Sequence, residues 1–225
     1  MASRDEQRER TRRRVYECAL DVFRRDGVAP CRIDDITAAA GVSRGSFYFH
    51  FPTKEHVLLE RMRETEDTIC DAIDALPADA HVDAVLAVLN QKLAEIWEPD
   101  PQLLPDVTGA ALRLAATTMS DQEATRMRSV LAQRFRAGVE RGEIVARVPP
   151  DILSDLYLGH VLAALLAWYG NRGLALSAML SAVSDLFWNG AKSPAPPASE
   201  SIKPGRARAS SSPRSGSRGP SRGRG

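Results

Sequence analysis

The sequence predicts an all-α protein of about nine helices, and three observations carry that prediction. Apolar residues recur at three- and four-residue spacing through most of the chain as far as Asn189. No clean alternating run appears, and no Asn-Gly or Asp-Gly turn joins two such runs into a hairpin. Gly, Pro and hydroxyl residues fall where those periodic stretches begin and end.

The first helix is expected over about 4–26, with Val15, Cys18, Ala19, Val22 and Phe23 on one face and Gly27 to stop it. Two short helices follow. One runs over about 33–40 and ends at Gly41; the other is capped by Ser43, runs over about 44–51 and is ended by Pro52. Longer helices are expected over about 54–76, broken at Pro77, over about 82–97, ended by EPDP, and over about 102–117. Ser120 with Glu123 reads as a capping box opening a helix that reaches Arg141 and stops at Gly142. Pro149-Pro150 starts the eighth helix, over about 150–170, and the ninth spans about 174–189.

The net charge of +1 hides an uneven distribution. Residues 1–61 hold 12 Lys/Arg against 10 Asp/Glu, residues 62–192 hold 11 against 18, and residues 193–225 hold 7 against 1. Both ends are basic around an acidic middle, so a polyanion belongs at an end. Residues 193–225 are 20 Ser, Pro or Gly out of 33, a composition that cannot bury a core, and a disordered basic tail is expected there. Cys18, Cys31 and Cys70 are scattered and odd in number, which indicates neither a disulfide framework nor a zinc site. No apolar signal core opens the chain, and the most apolar run, 156–169, is short for a bilayer, so a cytoplasmic location without membrane attachment is expected.

The stretch 44–51, RGSFYFHF, holds the residues that carry chemistry. With AAGVS before it, the pair of short helices has helix-turn-helix spacing, in which the second helix enters the major groove of DNA. On a helical wheel Phe47 and Phe51 share one stripe, suited to pack on Ile36, Ala40 and Val42, whereas Arg44 and Tyr48 share another and Phe49 and His50 lie elsewhere. Arg44 can fork onto guanine or phosphate, Gly45 lets a backbone approach, Ser46 can bond a base edge, Tyr48 can reach a phosphate oxygen and Phe49 a thymine methyl. Lys54, opening the next helix, adds charge beside exposed N–H groups.

The amphipathic basic first helix, Gly27, the helix-turn-helix and the run IDDITAAAGVSRGSFYFHFPTKEHVL together closely resemble the DNA-binding domain of the TetR family of bacterial transcriptional regulators over about 9–69. The resemblance implies a DNA-gripping role for Arg44, Gly45, Ser46, Tyr48, Phe49, His50 and Lys54, with the helix-turn-helix at about 32–51; Ser43 is a further DNA-contact candidate, as is Arg32, by charge in place of the family's hydroxyl contact. It also implies that residues 70–192 form a ligand-binding and dimerisation domain. The chain departs from the family pattern at Cys31-Arg32, where two hydroxyl residues usually precede the second helix, and at Thr37 in place of a common Ala.

Within residues 70–192 the eighth helix is apolar almost all round, which suits an element covered by its own domain and by a partner. Gly159, Ala163 and Ala167 form a smooth stripe. With Leu176, Met179, Leu180, Val183 and Phe187 of the ninth helix they are expected to build a two-fold four-helix interface of a homodimer. Leu93, Trp97, Leu103, Val107, Ala111, Phe135, Tyr157, His160 and Ala164 are candidates for a largely apolar effector pocket, with Thr117 and Thr118 as further polar anchors. The function expected is that of a ligand-responsive regulator, a repressor that binds a palindromic operator as a dimer and is released by a small molecule. No catalytic constellation, metal-ligand spacing or cofactor motif is read, so neither enzyme, metal nor cofactor is expected. Two alternatives stand beside it: a constitutive architectural protein using the basic tail, and a redox-sensing regulator in which Cys31, at a helix start beside Arg32, has a lowered pKa.

Overall fold

The computed structural model describes residues 3–118, 125–145 and 147–191, and of their side chains all but those of 114–118 and 191. Among the described residues there are nine helices and no strand: α1 (Arg4–Asp26), α2 (Ile33–Ala40), α3 (Arg44–His50), α4 (Lys54–Asp74), α5 (Val82–Trp97), α6 (Leu104–Thr118), α7 (Arg126–Glu140), α8 (Pro150–Gly170) and α9 (Leu176–Ala191). The basic tail, 193–225, lies outside the described residues.

Local chemistry sets the boundaries. Ser3 and Glu6 form a reciprocal capping box that opens α1, each side chain accepting from the other's backbone N–H at 3.1 and 3.0 Å. The Gly27 N–H closes α1 on the Phe23 carbonyl at 2.9 Å. The described part of α7 starts later than the sequence suggests: the Ser120–Glu123 box lies outside the described residues, and Thr125 caps the helix by accepting from the Arg128 N–H at 3.3 Å. Gly138 on α7 sits where a Cβ would meet Val82 Cγ2 at 2.7 Å and Ile144 Cδ1 at 3.2 Å, so glycine lets the start of α5 and the turn after α7 close on this helix.

α1, α2 and α3 pack with the start of α4 around Tyr16, Ala19, Phe23, Ile36, Phe47, Phe51 and Val57. α4 then continues past them to pack on α5, α6 and α7, so one helix belongs to both groups. Its near half is tied to α1 by Arg12–Glu60 at 2.8 Å and Arg13–Glu64 at 2.5 Å, with the Tyr16 hydroxyl donating to Glu64 at 2.5 Å. Its far half is tied to α7 by Arg126, which reaches Asp71, Asp67 and Asp74 at 2.6, 2.9 and 3.1 Å. Arg24 near the end of α1 reaches Asp100, between α5 and α6, at 2.7 Å. Glu66, between these ties, is half-buried; burial and then the adjacent Asp67 push its carboxyl up to about 7, with Arg63 opposing.

α8 packs on α6, α7 and α9. It is 21 residues long with a mean hydropathy of 1.4 over its most apolar 18, long and apolar enough to cross a bilayer by length and composition. Its inner face nevertheless carries Ser154 and Tyr157, both fully buried, as a helix of a folded core does. The Tyr157 hydroxyl donates to Asn90 Oδ1 of α5 at 3.2 Å, the Asn90 amide donates to Ser184 Oγ of α9 at 2.6 Å, and Ser184 Oγ lies 2.8 Å from the Tyr157 oxygen. Three buried polar groups thus satisfy one another in a closed ring across three helices. Burial holds the Tyr157 phenol up at about 12.

Candidate nucleic-acid interface

The turn between α2 and α3 is built by Gly41, which adopts φ +62°, a left-handed conformation that costs glycine least. The Gly41 and Val42 N–H groups return to Ala38 and Thr37 carbonyls at 3.3 and 3.0 Å. Ser43 then caps α3 by accepting from the Ser46 N–H at 3.1 Å. GVSRG has the letters of a nucleophile elbow, but no strand precedes it and its hydroxyl is the cap of a seven-residue helix. Thr37, whose choice over alanine the sequence leaves unexplained, is buried and donates to the Asp34 carbonyl at 3.1 Å.

Phe47 and Phe51 are 0% and 1% exposed, while Tyr48 and Phe49 are 45% and 64% exposed. The buried pair lies 6.2 Å apart, and Phe51 stacks on Tyr16 of α1 at 6.3 Å. Tyr48 stands edge-on to Phe47 at 5.5 Å, so its ring is supported from below while the residue stays exposed beside Arg44. Arg44 is exposed and held by Asp34 of α2 at 2.7 Å, an orienting partner that the sequence reading did not single out. A Cβ at Gly45 would meet only Ser43 Oγ, at 3.8 Å, so nothing within the chain demands glycine there. His50 is half-buried, and burial first, then Arg8 and Arg12, holds its imidazole below the ordinary value.

Two expectations change, those for Lys54 and Cys31, while at Arg32 the missing small cap is seen as expected. Lys54 does not extend from the start of α4: its ammonium donates to the carbonyls of Val28, Ala29 and Cys31 at 2.7, 3.2 and 2.8 Å, which uses all three of its protons. Arg32 is exposed, and α2 has no side-chain cap from it; instead the Arg32 N–H donates to Asp35 at 3.2 Å. Cys31 is 5% exposed, and burial raises its pKa despite Lys54 nearby, the opposite of what a reactive thiolate needs. The site also includes a residue the sequence reading missed. Arg8 of α1 lies over the Phe49 ring, 4.9 Å from its centroid, an approach from 41 residues away that no local pattern encodes.

Away from this interface the effector candidates are mostly packed. Leu93, Trp97, Leu103, Val107, Phe135, Tyr157 and Ala164 are buried core, and Ala111 is half-buried. Trp97 lies under the Arg61 guanidinium at 5.4 Å, and Phe135 and Tyr157 meet edge to face at 6.2 Å. His160 is exposed and bonded to the Leu156 carbonyl at 2.6 Å, and it meets Tyr157 and Phe135 through Phe187, whose ring it faces at 5.8 Å and which lies 5.0 and 6.2 Å from theirs. The side chains of Thr117 and Thr118 lie outside the described residues. A depression of about 330 Å³ lies elsewhere, between α5 and α9, lined by Asn90, Gln91, Ala94, Glu95, Ser177 and Ser181. No group of three metal-ligating side chains occurs among the described residues.

Of the residues expected at a dimer interface, Gly159, Ala163 and Ala167 are exposed on α8, and Met179, Val183 and Phe187 are half-buried on α9. Leu176 and Leu180 are not available: at 0% and 1% exposed they face the chain's own core. Ile152, Leu156, Leu166 and Leu186, at 45%, 47%, 40% and 78% exposed, supply the open apolar surface instead.

A short helix nailed down by two buried rings, with arginine, tyrosine and phenylalanine held outward at the end of a helix-turn-helix, defines an all-α DNA-binding regulator. Residues 15–60 match the model of the family described as bacterial regulatory proteins, tetR family. The chain is 29% identical over 168 residues to the HTH-type transcriptional repressor DhaR of Mycobacterium sp. (strain GP1), covering 69% of this chain and 80% of that protein. It is 46% identical over 50 residues to the HTH-type transcriptional regulator SrpR of Pseudomonas putida, a match covering 22% of this chain and only 24% of that one. The fold resembles that of Thermus thermophilus FadR in complex with lauroyl-CoA, with a TM-score of 0.66 at 24% identity over 83% of this chain and 98% of the other. Residues 15–60 thus match the DNA-binding region of the TetR family, and the chain resembles TetR-type transcriptional regulators over most of its length.

Proposed function

We propose that the protein is a ligand-responsive repressor that binds a palindromic DNA operator as a homodimer in the cytoplasm. Residues 9–69 serve as the DNA-binding domain and residues 70–192 as the effector-binding and dimerisation domain. The observation that carries this reading is the division of the 47–51 cluster: Phe47 and Phe51 are buried while Tyr48 and Phe49 stand exposed beside Arg44. Arg44, Ser46 and Tyr48 face DNA, with phosphate contacts setting register and base-edge contacts setting sequence.

The exposed apolar face of α8 with Leu186 of α9 is the dimer contact in this reading, and a two-fold axis there presents two recognition helices to two half-sites. α4 passes the signal, because charged ties join it to α1 at one end and to α7 at the other. An effector that binds more tightly when α4 is tilted lowers DNA affinity by the same factor that DNA lowers effector affinity. The effector in this reading is small and largely apolar, in keeping with the apolar side chains packed between α5, α7 and α8, and structural neighbours include a FadR in complex with lauroyl-CoA and a SmeT–triclosan complex.

The test is selection of bound duplexes from random DNA with wild type, Tyr48→Ala and Leu156→Asp. Wild type is expected to select a palindrome, Tyr48→Ala to bind that site more weakly while remaining folded, and Leu156→Asp to sediment as a monomer and lose the site. Absence of any palindrome, or wild-type binding by Tyr48→Ala, would sink the reading.

A further inference from the structure

The outer ring of the 47–51 cluster has an occupant of its own within the chain. Arg8 lies over the exposed Phe49 ring at 4.9 Å, near the start of α1, and no carboxylate pairs with it among the described residues. Arg12 and Arg13 also lie over rings, Phe51 at 5.0 Å and Tyr16 at 5.3 Å, but both are paired with carboxylates as well. Arg12 reaches Glu60 at 2.8 Å, Arg13 reaches Glu17 and Glu64 at 2.7 and 2.5 Å, and Arg10 reaches Gln7 at 3.1 Å. Arg8 therefore keeps its hydrogen-bond donors uncommitted to any carboxylate while its guanidinium lies over an aromatic ring.

Two more features make this a rigid presentation. The capping box of Ser3 and Glu6 begins α1 at Arg4, so Arg8 sits on formed helix rather than on a loose arm. Arg4, one turn earlier on the same stripe, is exposed too. His50 sits edge-on to Phe49 at 5.1 Å, and burial and then Arg8 itself hold its imidazole below the ordinary value, which favours the uncharged ring beside the guanidinium.

Resting on the DNA-binding reading above, we infer that Arg8 is a phosphate-contacting residue of the interface and that Phe49 is its positioning platform, rather than a reader of thymine methyl groups. The geometry favours this over the base-contact role. Phe49 lies at the far end of α3 from Ser43, whereas base edges are met by the early residues of a recognition helix. The late end faces the wall of the groove, where phosphates lie, and the Phe49 face that Arg8 covers is lost to a base.

The two roles separate by salt dependence. Binding of the selected operator is measured from about 0.05 to 0.5 M salt for wild type, Arg8→Gln, Phe49→Leu and the double variant, each checked for an unchanged thermal melt. One phosphate contact per head, two per dimer, corresponds to a slope of log K against log salt shallower by about 1.8, or a loss of roughly sixty-fold near 0.1 M. Arg8→Gln is expected to show that change, Phe49→Leu a large part of it, and the double variant no more than Arg8→Gln alone. The base preferences of the selected site are expected to stay as in wild type. An unchanged slope for Arg8→Gln overturns the inference. So does a Phe49→Leu variant that keeps the slope but loses preference for thymine at one position, with effects that add to those of Arg8→Gln. A wild type that binds no duplex overturns the DNA-binding reading itself, and this inference with it.

Discussion

Replacing Lys54 with methionine keeps most of the side chain's length and apolar stem and removes only the ammonium. That group donates to three carbonyls in the turn between α1 and α2, two of them, Val28 and Cys31, in part-buried bonds and the third, Ala29, in an exposed one. Water re-solvates the Ala29 carbonyl at little cost. The other two are left without a donor, at about 1–3 kcal/mol each for a buried acceptor, partly offset because a half-desolvated ammonium no longer has to be accommodated. The net loss is about 3 kcal/mol, which for a folded region of this size lowers Tm by about 6–12 °C. The assay is a pair of thermal melts followed by far-ultraviolet circular dichroism at fixed protein concentration, since oligomerisation would otherwise shift the midpoint. Lys54→Arg is expected to recover part of the loss, its fork reaching fewer of the three carbonyls in good geometry. A Lys54→Met variant that melts with wild type, but binds DNA with a salt slope shallower by about 1.8 per dimer, would refute the structural role. It would mean that the ammonium belongs to phosphate.

Phe47→Ala removes a wholly buried ring from the seat of α3 and is expected to cost about 3–5 kcal/mol in urea unfolding, whereas Tyr48→Ala, half exposed, should unfold within about 1 kcal/mol of wild type. Glu66 carries a carboxyl raised to about 7 in the folded state, above the unfolded value near 4.5, so the native state holds the extra proton between those limits and stability falls as pH rises from about 4.5 through 7. Glu66→Gln should therefore raise the urea midpoint at pH 8 and flatten its pH dependence; a variant with the wild-type profile would show that another group titrates. Gly138→Ala should destabilise by about 1–3 kcal/mol, because the added methyl meets Val82 at 2.7 Å, and Val82→Ala in the same chain should recover part of that loss in the same unfolding assay.

Much of the fold could be read from local signals. The bounds of α1, α2, α5 and α8 follow from Ser3, Gly41, the EPDP break and Pro150, each of which acts on its own neighbourhood. The split of the aromatic cluster was legible too, because Phe47 and Phe51 are four apart on a helix and Tyr48 and Phe49 are not in phase with them. What escaped was non-local. Lys54 finds its acceptors 23 to 26 residues earlier, and Arg8 meets Phe49 across 41, distances at which residue spacing carries no information. Leu176 and Leu180 share the periodicity of α9 with Met179 and Val183, and periodicity cannot say which side of a two-sided apolar helix meets its own chain. Arg126 of α7 reaches three aspartates of α4 that lie 52 to 59 residues earlier, a tie that no local pattern records.

The ring of Asn90, Tyr157 and Ser184 bears on how such a chain can change over generations. Tyr157 donates to Asn90, and Asn90 donates both to Ser184 and to the Leu180 carbonyl, so Asn90→Leu, Tyr157→Phe or Ser184→Ala alone strands a buried partner, while all three together remove the ring's polar side chains at once. The two well-satisfied sequences are separated by a valley of poorer ones. A lineage that holds the polar ring tends to keep it, and with it the register of α5, α8 and α9, even while the surface around them diverges.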